Sequence, residues 1–328
     1  MKLWEIAHSR TGDKGNISDI SLIVYDKKDY DRIRVDVTAD KVKAWFDGIV
    51  RGDVVRYEIP SLGALNFVLY DALGGGVTRS LSLDKHGKSL SAYLLDMEIP
   101  EENALSREIE EVKGYDGIWQ PVVAGIARTY DPEIRNHDTI FYGASNFWLW
   151  KPMEEDLAPF SVQNHAFGGS TDKDLMFWAP YILYPYSPKI VFFQTGSNDY
   201  VESPAETEDG KIAEAMDFKH EMFTKFHENL PNATFVVMSG ILLPGRSEYV
   251  DMTLMINDRL KEYCAVRDYM LFVDAEALTY DRAKGSFVEN VNTMFLEDQI
   301  HLTDAARIIW ANTWMRPLLQ EIGAPVKR

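Results

Sequence analysis

The chain has one cysteine, Cys264, among its 328 residues. No intrachain disulfide can form, and a Cys-rich metal site is excluded. The lone thiol lies in a helix-patterned segment and reads as a buried small hydrophobe rather than a nucleophile. Basic residues are scarce: 34 Lys and Arg face 51 Asp and Glu, a formal net charge of −17. Nucleic acids and anionic membranes are polyanions, so this balance argues against both as partners. No run approaches the roughly 18 uninterrupted apolar residues of a membrane span. The opening Met1-Lys2-Leu3-Trp4-Glu5 has no basic segment followed by an apolar one, so no signal peptide is read there. These absences fit a cytoplasmic setting. No His, Cys, Asp and Glu residues have zinc-site spacing either, and neither a metal nor a cofactor is expected.

Core-forming residues are plentiful. At 46% hydrophobic and 12% aromatic, the chain is long enough for two cores. Residues 1–100 read as a small α+β unit, with strands at 2–7, 20–25, 54–59, 78–83 and 92–97 and helices at 39–47 and 62–73. The second helix rests on Leu65, Val68, Leu69 and Ala72 at helical spacing. Strands outnumbering helices suggest a sheet with helices on one face. Residues 101–137 read as a charged, largely helical connection broken by Gly114-Tyr115-Asp116-Gly117. From 138 to 328 the grammar changes. Short apolar strands at 139–142, 162–166, 190–195, 234–238 and 270–273 alternate with helices, one of them over 212–230. That alternation is the pattern of an α/β domain whose parallel sheet is covered on both sides.

Four blocks in this second half carry chemistry. Gly143-Ala144-Ser145-Asn146 places a serine directly after a strand, opening a helix whose N-terminus favours negative charge. Asn164-His165-Ala166-Phe167-Gly168-Gly169-Ser170 offers glycine backbone that a ligand can approach closely. Gly196-Ser197-Asn198-Asp199 supplies a carboxamide at a strand end, able to donate to an oxyanion. Asp298-Gln299-Ile300-His301 spaces a carboxylate and an imidazole so that one can orient the other, before a helix capped by Thr303. Each block alone has a plainer reading, as an N-cap, a tight turn, an Asx turn or a solvated pair. Their order, Ser then Asp then His, is one known order of a serine-hydrolase triad along an α/β chain.

With all four blocks in place, residues 138–328 resemble the SGNH/GDSL hydrolase superfamily of esterases and acylhydrolases. The resemblance implies a three-layer α/β/α, flavodoxin-like domain. It implies Ser145 as nucleophile, His301 as base and then acid, and Asp298 as its orienter. The N–H groups of Ser145 and Gly169 and the Asn198 side chain would form the oxyanion hole. The chain departs from the family pattern twice. Ala144 replaces the aspartate of Gly-Asp-Ser, which concerns loop support more than chemistry. His165 stands where related chains often carry arginine and is expected to alter the pocket rim.

The first half holds His8-Ser9-Arg10-Thr11-Gly12-Asp13-Lys14-Gly15-Asn16 and Leu73-Gly74-Gly75-Gly76-Val77-Thr78-Arg79-Ser80. It resembles the ferredoxin-fold domain of AtuA-like (acyclic terpene utilisation) proteins. Arg10, Lys14 and Arg79 beside glycine-rich backbone suggest a site for a carboxylate or phosphate; turn-shaping glycines with charges paired to acids are the alternative. The expected function is metal-independent hydrolysis of a small-molecule ester (short acyl ester, acetylated sugar or acyl-CoA thioester) through an acyl-enzyme on Ser145. The N-terminal unit would act in substrate choice or homo-oligomeric assembly. A non-catalytic ligand-binding or assembly protein on a hydrolase fold is the alternative of a different class. Trp148, Trp150, Phe167, Trp178 and Tyr200 are candidate pocket aromatics, or core.

Overall fold

The computed structural model describes every residue except Val77, Asp116, Gly117, Gly196 and Arg328. Gly196 of the third block, Val77 of the glycine run before Arg79, and Asp116 and Gly117 of the break within 101–137 therefore lie outside the described residues. Contacts divide the chain into two units, Met1–Thr129 and Tyr130–Arg328.

The first unit is built on an antiparallel sheet of β1 (Ala7–Lys14), β2 (Ile17–Val24), β3 (Val54–Ile59) and β4 (Ala64–Leu69), in the order β1-β2-β4-β3. Helices α1 (Tyr30–Asp36), α2 (Ala39–Trp45) and α3 (Leu90–Leu95) supply Ile33, Val42, Leu90 and Leu94 to a core shared with Ile20, Leu22, Leu65 and Phe67.

Three expected elements are corrected here. The helix read at 62–73 is replaced by β4, because Leu65, Phe67 and Leu69 are fully buried while Asn66 and Val68 are not. A period of two has overridden an incidental helical spacing. The strand read at 92–97 is mostly α3, with Leu90 and Leu94 buried one turn apart. No strand forms among the described residues of 78–83, where Leu81 and Leu83 are fully exposed. The strand read at 2–7 begins only at Ala7. It then runs through Ser9 and Thr11, whose hydroxyls donate to the Ser91 and Lys88 carbonyls at 2.8 and 3.2 Å.

Within 101–137, helices α4 (Ala104–Glu110) and α5 (Gln120–Thr129) pack into the first unit instead of standing apart as a connection. Arg128 explains this: its buried guanidinium donates to Asp36 at 3.2 Å and reaches Glu102 and Glu110 at 3.3 and 3.2 Å. Gly125 lets α5 come close, since a Cβ there would lie 2.5 Å from Val35.

The second unit holds five parallel strands, β5 (Thr139–Gly143), β6 (Val162–Asn164), β7 (Ile190–Gln194), β8 (Thr234–Met238) and β9 (Met270–Val273). Their order is β6-β5-β7-β8-β9, which is 2-1-3-4-5 counted from β5, the flavodoxin-like winding. The expected strands agree to within two residues. Connections are α6 (Ser145–Trp148), α7 (Met153–Asp156), α8 (Asp172–Ile182), α9 (Asn198–Val201), α10 (Glu208–Asn229), α11 (Val250–Ala265), α12 (Val291–Met294), α13 (Asp304–Trp310) and α14 (Arg316–Glu321).

Adjacent strand residues face opposite layers. Phe141 and Phe192 pack with Phe147, Trp150 and Trp310, whereas Tyr142 and Phe193 meet Phe226 of α10. Every residue of β5 and β7 is buried, as a sheet covered on both faces requires. Cys264 is buried within α11, as expected, and its thiol is pushed up to about 12 by that burial. Among the described residues no helix is long and apolar enough to cross a membrane.

Candidate active site

The site gathers where β5, β6 and β7 end. Gly143 closes β5 against β7 so tightly that a Cβ would sit 2.2 Å from the Gln194 carbonyl oxygen. The next N–H, of Ala144, donates to that same oxygen at 3.1 Å. Ser145 then opens α6, where the first N–H groups of a helix have no intrahelical acceptor. Ala144 is buried, and its carbonyl accepts from the Phe147 and Trp148 N–H groups at 3.2 and 3.1 Å. Backbone bonds thus support the loop at Ala144.

The Asp298 loop approaches from the far end of the sequence. Gln299 adopts φ 58°, and this sharp turn lets one carboxylate collect three donors. Oδ1 accepts from the N–H groups of Ile300 and His301 at 2.8 and 2.9 Å, and Oδ2 lies 2.7 Å from His301 Nδ1. Burial pushes the Asp298 carboxyl up, but the bonds from His301 and the two N–H groups outweigh it and hold it at about 2. It is therefore ionised at any working pH, and it fixes the tautomer that leaves Nε2 available. Thr303 caps α13, as read from the sequence.

Asn146 ties the two loops together. Its buried Oδ1 accepts from the Leu302 N–H at 3.1 Å, so the residue after Ser145 is bonded to the residue after His301 across 156 positions. Sequence reading missed it, because nothing in its spacing distinguishes it from any residue of a short helix.

The glycine loop and the Asn198 loop complete the arrangement. A Cβ on Gly168 would lie 2.5 Å from the Trp148 ring, and Gly169 adopts φ 76°. The Phe167 N–H and the Ser170 hydroxyl both donate to the Gly143 carbonyl, at 3.1 and 3.3 Å. Asn198 Nδ2 donates to the Ser170 carbonyl at 3.0 Å, while Oδ1 accepts from Arg246 at 3.1 Å. With its orientation set from both ends, the amide keeps a second N–H for the cavity. Arg246 is also bonded to the Ser197 hydroxyl; it lies outside every motif, and no sequence signal marked it.

Ser145, Gly169, Asn198, Asp298 and His301 all line one cavity of about 490 Å³. Among the described residues the Ser145 hydroxyl has no hydrogen-bond partner; nucleophile–base contacts are often loose in free enzymes and close on substrate binding. Trp148 and Tyr200 line the cavity too, whereas Trp150, Phe167 and Trp178 are core.

His165 is a correction. It is not on the rim but fully buried, with Nδ1 donating to the Ile182 carbonyl at 2.5 Å and its ring between Tyr130 and Tyr186. Burial pushes its pKa down to about 3, so it stays neutral and acts in packing. In the first unit, Arg10 and Lys14 alternate onto the outer face of β1, and Arg79 follows the glycine run. Among the described residues no bond links the three. Asp13 is held instead by Lys88 and His86 at 2.7 and 3.0 Å.

Residues 1–100 match the AtuA ferredoxin-like domain family. Part of the chain, 57–68% of it in the three cases below, resembles solved structures of hydrolases. A protein from Bacteroides fragilis described as an acylhydrolase shares 15% identity at TM-score 0.47, over 68% of this chain and 99% of its own. A GDSL-like lipase from Bacteroides thetaiotaomicron shares 16% at TM-score 0.45, over 57% and 89%. The acetylxylan esterase Axe2 from Geobacillus stearothermophilus shares 15% at TM-score 0.43, over 59% and 98%. No curated protein matches. Likenesses this distant concern the fold, and the roles of residues rest on the geometry above.

Asn198→Ala is expected to lower kcat about 10²-fold with little change in KM, the usual loss for one preorganised oxyanion donor. A change confined to KM, in initial-rate measurements on a simple ester, would make Asn198 a ground-state contact.

Proposed function

We propose that the second unit is a serine ester hydrolase that works through an acyl-enzyme on Ser145. The observation that carries this reading is the 2.7 Å Asp298–His301 bond in the cavity that Ser145 also lines. In the reaction, His301 Nε2 takes the Ser145 proton as Oγ attacks the ester carbonyl carbon. The oxyanion is held by the Ser145 and Gly169 N–H groups and by Asn198 Nδ2. His301 then protonates the departing alcohol, and water repeats the sequence in reverse roles to release the acid. Asp298 stays ionised and supports the imidazolium. The substrate is a small-molecule ester. The N-terminal unit serves substrate choice or assembly, since every group named here lies between residues 145 and 301.

The test is labelling by a fluorophosphonate probe together with hydrolysis of para-nitrophenyl acetate. Labelling on Ser145, absent in Ser145→Ala, is expected. A folded wild-type protein that neither reacts with the probe nor turns over the ester would refute the reading. Turnover is expected to persist after dialysis against EDTA, because each step has a side-chain or backbone group in the cavity to perform it. Loss on chelation, with recovery on adding zinc, would show that this mechanism is incomplete.

A further inference from the structure

Arg246 has a role beyond holding Asn198. Its position is set from its own backbone: the Gly245 N–H donates to the Gln299 carbonyl at 2.9 Å, and a Cβ on Gly245 would lie 2.7 Å from the Asp298 carbonyl oxygen. The segment carrying Arg246 is therefore pinned to the same turn that presents Asp298 and His301. From there the guanidinium crosses to the other side of the site, where Nη1 bonds Asn198 Oδ1 and Ser197 Oγ.

Those two bonds use one nitrogen. Among the described residues Nε and Nη2 have no partner, and no carboxylate lies within ion-pair distance of the group. Four other arginines of this acidic chain are treated differently. Arg128, Arg135, Arg282 and Arg307 each hold a carboxylate at 2.7–3.2 Å. Arg246 is also the one permanently cationic side chain among the described residues lining the cavity, whose other walls include Trp148, Leu149, Ile241, Leu243 and Leu296. A half-buried guanidinium with open donors beside apolar walls is suited to a bidentate oxyanion. In a chain of net charge −17 the surrounding field otherwise repels anions, so attraction has to come from a local group.

We infer that Arg246 selects esters carrying a second, anionic group, a carboxylate or a phosphate, close to the scissile bond. This rests on the hydrolase reading and narrows its substrate class. The guanidinium would bind the anion through Nε and Nη2 while Nη1 continues to orient Asn198. Arg246 is thus a specificity residue and a positioning residue together, and the two roles separate by experiment.

Initial rates are measured for matched esters. Methyl para-acetoxybenzoate is the neutral reference, against para-acetoxybenzoate and para-acetoxyphenyl phosphate with the anion on the leaving group. The mono-para-nitrophenyl ester of adipic acid, against para-nitrophenyl hexanoate, places it on the acyl side. Wild-type kcat/KM is expected to favour at least one anionic ester by about 10-fold or more, mainly through KM, with the preference narrowing at high salt. Which arm responds identifies the anion and its side. Arg246→Gln keeps an amide donor for Asn198 but removes the charge. It is expected to lose about 10- to 100-fold on the preferred ester relative to its neutral match, whereas disturbance of Asn198 alone would slow both members equally. Arg246→Lys is expected to keep part of the preference. An anionic-to-neutral ratio unchanged in Arg246→Gln, or neutral esters turned over with no anionic preference, overturns the inference while leaving the hydrolase intact. No turnover of any ester and no fluorophosphonate labelling overturns both.

Discussion

Replacing Ser145 by alanine is expected to reduce ester turnover by on the order of 10⁴-fold or more while the protein remains folded. The folded state should tolerate the change because the Ser145 hydroxyl makes no hydrogen bond among the described residues, and the helix start is held by backbone bonds from Ala144. His301→Ala should cost a similar factor, since the proposed mechanism uses the imidazole as base for attack and acid for departure. The double variant should be little worse than either single one, because residues that act as a unit are not additive. Asn146→Ala removes the acceptor of the Leu302 N–H and so loosens the His301 loop relative to Ser145; a smaller loss of kcat is expected, with unchanged probe chemistry. The check is single-turnover kinetics on para-nitrophenyl acetate with circular dichroism of each variant. Wild-type turnover by folded Ser145→Ala would remove Ser145 from the chemistry altogether.

The second unit was easier to read than the first, for a physical reason. Its strands are buried on both faces, so Ile190 to Phe193 appear as an uninterrupted apolar run, and its helices are long enough to show a period. In the first unit the strands are buried on one face at most, and the β4 residues Leu65, Val68 and Leu69 fit a helix as well as a strand until Phe67 is seen to share the burial of Leu65 and Leu69 while Val68 does not. The polar β1, His8 through Lys14, has no hydrophobic signal; its pairing with β2 defines it. The catalytic candidates were legible because their chemistry is carried by residue type within short blocks. Asn146, Arg246 and Lys219 were not, since each acts through a partner 47 or more positions away, at Leu302, Asn198 and Asp172. Such contacts leave no local pattern.

Lys219→Met is expected to destabilise the protein by roughly 3–5 kcal/mol, the usual cost of removing one partner from a buried ion pair. The Lys219 ammonium is 2% exposed and lies between two buried carboxylates, donating to Asp172 at 2.8 Å with Asp199 4.0 Å away. It also donates to Thr195 at 2.8 Å, and Asp199 accepts from the Asp172 N–H at 2.8 Å. Asp199 follows Asn198, and Asp172 lies just beyond the Gly169 loop, so this cluster clamps both expected oxyanion-binding loops to the end of β7. Burial and the Asp172 carboxylate raise the Asp199 pKa from 3.8 to about 7, with Lys219 opposing the rise. A carboxyl whose folded pKa exceeds its unfolded one binds more protons when folded, and stability then falls as pH rises from about 4 to 7. Removing Lys219 removes the opposing charge and raises that pKa further. The deficit of the variant relative to wild type should therefore be larger at pH 8, where Asp199 of the wild type has lost its proton beside Lys219, than at pH 5. Adding Asp199→Asn to Lys219→Met should recover part of the loss at pH 8, because one buried negative charge is gone. Urea unfolding of the three proteins at both pH values measures this directly. A deficit below about 1 kcal/mol, or one that grows on acidification, would mean that the cluster is neither an ionic clamp nor the origin of the raised Asp199 pKa.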